Sequence, residues 1–464
     1  MKGMHTMARQ YFGTDGIRGV ANREVTCELA LAMGRAVTIW VSPMARHSRH
    51  PRVLIGRDSR RSGAMLEAAV SAGISSVGGE PVSLGIIPTP AVAMMVELER
   101  ADLGIVISAS HNPFHDNGIK LFGPNSRKLT DEQEEAVEAL LNVEVTTLVD
   151  GDNVGWFSSR SDARTMYAAE ILDRLNPLMD DRVRDMKVMV DCANGAAWPA
   201  VGVAFQRAGI AADYIGTAAD GTNINRGCGS TDLAMLSATV IAGNYDIGVA
   251  YDGDADRMVA VDEQGHEIDG DAIMGLLALD LKAQGRLDNN LLVATTMSNL
   301  GLQRSLAPYG MSVETCDVGD RYVIEKMRET GAVLGGEQSG HMIYTPVQST
   351  GDGIAISLLL LSALARRAEP ASVAAALIDR LPQLLRNVAV ANKQGLKDAS
   401  GVWEAVERVE SELGSDGRVV LRASGTEPLV RVMVEAPTSE LCNKYVDELS
   451  AVVNRELCGA ASVS

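Results

Sequence analysis

Three short apolar runs punctuate the chain in the same way. Val53-Leu54-Ile55, Val188-Met189-Val190 and Leu291-Leu292-Val293 each lead into a polar or glycine-bearing turn. After each turn comes a stretch with the apolar spacing of a helix that runs to a glycine: Leu66 to Gly73, Val201 to Gly209 and Leu302 to Gly310. A second β-like run follows every time. Short apolar strands alternating with helices predict βαβ units, whose crossover helices cover parallel or mixed sheets. The three glycines are 136 and 101 residues apart, too far for a solenoid and suited to repeated domains.

The pattern changes after about Leu381. Val388-Ala389-Val390 reads as a strand and a helical middle follows. Arg418 to Leu421 and Val430 to Val434 then flank a Ser-Gly turn, and a last amphipathic stretch runs from Glu440 to about Leu457. The expected fold is therefore α/β: three related α/β domains with mixed sheets plus a smaller C-terminal α+β domain. The boundaries fall at 1–160, 161–264, 265–380 and 381–464. Residues Ser42 to Pro51 read as a surface loop, Ala332-Val333-Leu334 as a strand, and Gly459 to Ser464 as a fraying end.

Composition narrows the class. The 464 residues suit about three domains, with two to four all compatible, and 46% hydrophobic with 22% charged residues describes a folded, water-soluble chain. A net charge of −18 opposes nonspecific attraction to nucleic acid or anionic membrane, so a phosphorylated ligand needs a locally basic pocket. No run approaches the ~18 apolar residues of a membrane span, and Met1 to Gln10 lacks a signal-peptide core, which makes the cytoplasm the expected compartment. Six cysteines without CxxC spacing suit isolated reduced thiols.

Candidate chemistry sits in four places. Asp102 to Ile107 reads as a strand, which puts Ser110 of Ser108-Ala109-Ser110-His111-Asn112-Pro113 at or beyond its carboxyl end, where α/β sheets place ligands. Ser110 suits a nucleophile or a simple turn residue, and the absence of GxSxG argues against a hydrolase elbow. Asp252, Asp254 and Asp256 alternate with small residues between two strand-like runs, so three carboxylates can converge on one hard cation such as Mg²⁺, or else form a solvated acidic turn. An EF-hand is disfavoured by Arg257 at the glycine position and by β-like flanks. Arg422-Ala423-Ser424-Gly425-Thr426-Glu427-Pro428, with Arg431, offers backbone N–H groups and two guanidinium groups to a phosphate, or else forms an ordinary hairpin turn. Gly335-Gly336-Glu337-Gln338-Ser339-Gly340-His341 offers Glu337 and Ser339 to sugar hydroxyls, and His341 either as a proton carrier or as a structural histidine. Lys120 suits a base, a phosphate partner or a solvated lysine.

With Phe12-Gly13-Thr14-Asp15-Gly16-Ile17-Arg18-Gly19 at the front, these segments stand in an order that resembles the α-D-phosphohexomutase superfamily over nearly the whole chain. Gln338 favours the glucosamine branch, because relatives acting on mannose or glucose phosphates usually carry Met there. The resemblance implies four domains around a central cleft and an isomerase-class enzyme with Ser110 as a phosphoserine. It implies one Mg²⁺ per subunit on Asp252, Asp254, Asp256 and a phosphoserine oxygen. The implied reaction converts glucosamine 6-phosphate to glucosamine 1-phosphate through a 1,6-bisphosphate that is intermediate and activator, supplying UDP-N-acetylglucosamine and cell wall precursors. Arg18 and Arg257 would neutralise the moving phosphoryl group, and Lys120 or His341 would move the hydroxyl proton. Arg422, Ser424, Gly425, Thr426 and Arg431 would hold the other phosphate.

A hinged fourth domain would exclude water, and a homodimer is implied by the resemblance alone. Met1 to Met7 and the Ser42 to Pro51 loop look like extra length. Asp58-Ser59-Arg60 carries Ser where relatives often carry Thr, and all three segments are expected to leave the chemistry untouched. Two other readings stay in view: a sibling mutase for mannose or glucose phosphates, and a noncatalytic sugar-phosphate sensor on the same fold.

Overall fold

A computed structural model describes residues 10–13, 15–46, 50–141, 148–424 and 428–458. The extra N-terminal length Met1 to Met7, the fraying end Gly459 to Ser464, part of the Ser42 to Pro51 loop, and the phosphate-loop residues Gly425 and Thr426 lie outside the described residues.

Each of the three apolar runs forms a strand that passes through a helix to a parallel neighbour. Arg52–Arg57 pairs with Glu80–Ile86, Lys187–Asp191 with Ala211–Ile215, and Leu291–Thr295 with Ser312–Cys316, all in parallel register. The first sheet has six strands in the order 17–20, 116–122, 103–107, 52–57, 80–86 and 158–159. The second has five and the third four, and each carries antiparallel pairs at one side, so all three are mixed. The last sheet is wholly antiparallel, with Leu429–Glu435 between Gln383–Ala389 and Arg418–Ala423. Helices Ser400–Leu413 and Ser439–Cys458 cover it.

Local chemistry sets the helix ends. Gly209 and Gly310 take left-handed C-caps (φ 76° and 65°), the conformation that a Cβ disfavours. Gly73 differs from the sequence reading: it lies inside the helix Gly63–Ser76, where a Cβ would stand 2.2 Å from the carbonyl oxygen of Leu31. The glycine there permits the close crossing of Cys27–Val41, whose own Gly34 meets Val70 in the same way. Side-chain oxygens of Asp269 and Asn299 cap two helices of the third unit, each such cap contributing about 1 kcal/mol.

One continuous apolar core runs from Leu54 to Ile378 through the first three units, while residues Val388 to Leu457 form a core of their own. The seam between the third unit and the last is polar. Arg418 donates to Glu435 and to the carbonyl of Ser298, Glu435 accepts from the Leu300 N–H at 2.9 Å, and Asn299 bonds Leu381 through both its amide atoms.

Candidate active site

The strand Leu103–Ile107 is buried along its whole length and ends three residues before Ser110, which therefore stands beyond the sheet's carboxyl edge. Ser110 is buried and adopts φ 51°, a left-handed conformation rare for a residue with a Cβ and common at functional sites. Its Oγ donates to Asp252 Oδ2 at 2.5 Å, across 142 residues of sequence and from one sheet to the next. His111 Nδ1 lies 3.4 Å from the same oxygen. Burial, aided by Arg257 and Arg18, drives His111 down to about 4, so it is neutral at pH 7.

The Ser110 backbone is gripped on both sides. Its N–H donates to Ser108 Oγ at 2.9 Å, and its carbonyl accepts from Arg60 Nη2 and Asn225 Nδ2, each at 2.9 Å. Ser59, the position where relatives often carry Thr, donates its hydroxyl to the Asn194 carbonyl oxygen, while its neighbours Asp58 and Arg60 reach the serine loop. Arg60 and Asp58 form a fully buried ion pair at 2.8 Å. The guanidinium also donates to the carbonyls of Asn112, Pro113 and Asp116, while Asp58 accepts from Ser108 Oγ at 2.7 Å. The sequence places this segment at the end of a neighbouring strand; only the sheet order brings it under the serine.

Asp252, Asp254 and Asp256 lie on the turn between the antiparallel strands Ile247–Tyr251 and Met258–Asp262. Ala255, at φ 57°, tightens that turn. All three carboxylates are buried and offer oxygen atoms within 4.8 Å of one another. Gly253 makes the approach to Ser110 possible, since a Cβ there would stand 2.6 Å from the Ser110 carbonyl oxygen. Burial, reinforced by Asp256 and Asp254, pushes the Asp252 carboxyl well above the usual range. Burial acts the same way on Asp256, but Lys120, His341 and Arg257 outweigh it and hold that carboxyl well below. Asp254 Oδ1 and Asp256 Oδ1 are buried without a hydrogen-bond partner, which native interiors rarely tolerate. Two orphaned carboxylate oxygens in an all-oxygen donor set fit a hard divalent cation.

Around this cluster a cleft of about 630 Å³ gathers Arg18 from the first unit, Asp256 and Arg257 from the second, Glu337 and His341 from the third, and Arg422 from the fourth. Lys120 is buried with Nζ 3.0 Å from Asp254, 3.2 Å from Asp256 and 3.2 Å from Asp15. Burial disfavours its charge, yet the three carboxylates outweigh it and raise the lysine well above its ordinary value. His341 Nδ1 is 3.7 Å from Asp256, and its Nε2, 3.8 Å from Asp320, is buried without a hydrogen bond. Burial lowers this histidine, but Asp256 and Asp320 prevail and raise it. Arg18 and Arg257 each keep a buried Nε without a hydrogen bond, that of Arg257 lying 3.9 Å from Asp256.

Glu337 accepts from the Gly319 N–H at 2.9 Å and from Ser339 Oγ at 3.1 Å. Its loop differs from the reading in one respect. The strand is Leu334–Gly336, so the two glycines belong to the sheet, where a Cβ on Gly336 would meet the His341 carbonyl oxygen at 2.5 Å. Gln338 points to Asp269 at 3.3 Å and is absent from the cleft lining. Arg422 and Arg431 face each other directly across the two last strands, an arrangement of like charges that costs energy unless an anion sits between them. Ser424 is buried, its N–H bonded to the Leu429 carbonyl oxygen.

Sequence reasoning missed Asp15, His111, Lys128 and Asp320. Lys128 bridges Asp15 and Asp320, tying the first unit to the third along the cleft lining. Asp15 lay inside the quoted glycine motif and His111 beside the serine, but nothing local marks Lys128.

Profiles of the phosphoglucomutase/phosphomannomutase family match all four parts: α/β/α domain I at residues 9–146, domain II at 165–265, domain III at 269–381 and the C-terminal domain at 385–452. The chain belongs to this family and is a mutase, an isomerase-class phosphotransferase. Among solved structures, a family protein from Burkholderia thailandensis is 23% identical, with a TM-score of 0.77 over 97% of this chain and 98% of that one. An Aspergillus fumigatus N-acetylphosphoglucosamine mutase, solved with GlcNAc-6P and magnesium, shares the fold at 17% identity, TM-score 0.67, over 96% and 95%. Within the family the chain falls among the phosphoglucosamine mutases. It is 46% identical to the one from Novosphingobium aromaticivorans, over 97% of this chain and all of the relative, and 45% identical to that of Symbiobacterium thermophilum, over 96% and 99%. No helix among the described residues is long and apolar enough to cross a membrane.

Proposed function

We propose that this mutase interconverts glucosamine 6-phosphate and glucosamine 1-phosphate through a phosphorylated Ser110. The observation that carries the reading is the contact of Ser110 Oγ with Asp252 of a buried carboxylate triad, whose Asp256 lines a cleft furnished with arginines. Full-length relatives at 44–46% identity bear the corresponding name.

In the forward direction the phosphoryl group leaves Ser110 Oγ and bonds to O1 of the sugar, whose hydroxyl proton passes to a base. The 1,6-bisphosphate turns over in the cleft, and its O6 phosphoryl returns to Ser110 while O6 regains a proton. Lys120 and His341, both beside Asp256, are the candidates to carry that proton, the charged Lys120 being able to give it and not to take it. Arg18 and Arg257, both lining the cleft, neutralise charge on the transferring oxygens. Glu337, with Ser339 fixing its second oxygen, accepts from sugar hydroxyls. Arg422 and Arg431 with Ser424, Gly425 and Thr426 grip the phosphate that is not reacting, at either end of the sugar.

Asp252, Asp254 and Asp256 would hold Mg²⁺, which when bound supplies positive charge against the phosphoryl oxygens. The fourth unit, with its own core and polar seam, is suited to close as a rigid body and exclude water.

Intact-protein mass spectrometry tests the centre of this reading. The phosphoryl mass increment and turnover are both expected to vanish in Ser110→Ala, and a Ser110→Ala protein that keeps either rejects it. A competition assay across glucosamine, glucose and mannose 6-phosphates tests the substrate. Faster turnover of glucose 6-phosphate or mannose 6-phosphate would reassign the chain to a sibling activity.

A further inference from the structure

We propose that Arg60, acting with Asp58 and Ser108, is a positioning residue that sets the aim of the Ser110 nucleophile in both phosphoryl transfers. The inference rests on the reading of Ser110 as the phosphorylated residue.

Ser110 takes a left-handed backbone conformation, which a serine abandons unless its surroundings over-determine it. The structure shows the constraint. Arg60 is among the largest fully buried side chains, and its guanidinium spends its donors on one carboxylate and four loop carbonyls, those of Ser110, Asn112, Pro113 and Asp116. No other described side chain binds so many atoms of this loop. Asp58 fixes the guanidinium through Nε at 2.8 Å and accepts a second bond from Ser108 Oγ at 2.7 Å; Ser108 in turn receives the Ser110 N–H at 2.9 Å. The two peptide groups flanking the Ser110 Cα are thus tied to one ion pair, the N–H through Ser108 and the carbonyl directly. Rotating either would turn Oγ away from Asp252, its partner across the sheets.

Only a planar fork of several donors serves here. A lysine keeps the charge beside Asp58 but presents a single nitrogen, which cannot span the carbonyls. Asp58 and the four loop carbonyls take up every guanidinium N–H of Arg60, which leaves none for sugar or phosphate. An effect on chemistry must pass through Ser110.

Steady-state kinetics in both directions on Arg60→Lys and Ser108→Ala, with Ser110→Ala as control, tests the proposal. Arg60→Lys is expected to lower kcat on the order of 100-fold, the scale of an ångström-size misplacement, with KM for either sugar phosphate at the wild-type value. Ser108→Ala, which removes one hydroxyl, is expected to lower kcat about 3- to 10-fold. The losses should match in the two directions, since one serine serves both. A purely structural role predicts a lower melting temperature with kcat preserved, and that result overturns the proposal, as does a loss confined to KM. If Arg60→Lys does not fold, Ser108→Ala decides alone. Wild-type kcat in the Arg60 and Ser108 variants while Ser110→Ala is dead refutes only the positioning role; an active Ser110→Ala refutes the reading beneath it.

Discussion

Gly253→Ala is the smallest change that should separate Ser110 from the aspartate turn. The added methyl would stand 2.6 Å from the carbonyl oxygen of Ser110 and 2.8 Å from Ile224 Cδ1, whereas ordinary contact begins near 3.4 Å. The carbonyl must therefore retreat by about 0.8 Å, or the aspartate turn must back away by the same amount. The first is resisted by the two donors that hold that oxygen at 2.9 Å, from Arg60 and Asn225. The second is resisted by Ala196, whose N–H bonds the Gly253 carbonyl oxygen at 2.8 Å, and by Gly195, where the two backbones already touch. Overpacking of this kind costs about 1–3 kcal/mol of stability. The catalytic cost is larger in proportion, because displacing a reacting atom by about 1 Å lowers turnover roughly 100-fold. Turnover of glucosamine 6-phosphate measured beside a thermal melt should show kcat reduced by that order, KM unchanged and the fold retained. A Gly253→Ala enzyme with wild-type kcat would refute the claim that this close approach aligns the site.

Other outcomes follow from the same geometry. Asp271 is buried and accepts the Asn299 N–H at 2.7 Å; burial, then Asp269, pushes its carboxyl up to about 7. A raised carboxyl costs nothing below its unfolded value and progressively more as pH rises from about 4 to 7, up to about 4 kcal/mol. Asp271→Asn should therefore stabilise the protein more at pH 8 than at pH 5, by about 2–3 kcal/mol in urea melts, and an equal effect at both pH values would contradict the assignment. Arg422→Ala removes half of the facing arginine pair and should raise KM about 10- to 100-fold with a smaller change in kcat; binding isotherms with inorganic phosphate check the same loss. Chelation of divalent cations should abolish turnover while leaving the circular dichroism spectrum intact, with recovery on adding Mg²⁺; full activity in chelator would count against a metal on the aspartate triad.

The three βαβ units and the antiparallel tail were legible because each depends on local periodicity and on glycines at helix ends. Where a glycine served a different purpose the reading slipped. Gly73 supports a helix crossing and Gly336 a strand lying close to another backbone, and neither partner is visible within a short window of sequence. The site followed the same division. The aspartates announced themselves by their spacing, as did the arginines by their loop. Asp15, Lys128 and Asp320 converge only after two sheets dock, and Arg60 reaches beneath Ser110 because its strand lies beside that of the serine.

The distance in sequence between Ser110 and Asp252 also bears on how the molecule comes alive. Each loop can form on its own sheet early, from contacts between near neighbours, but their meeting closes a long loop and must wait for two sheets to associate. In a refolding experiment, helix and sheet signals should recover first and activity should trail them. The lag would time the slowest docking among the four units that furnish the cleft, so the enzyme carries its own clock for the last stage of assembly.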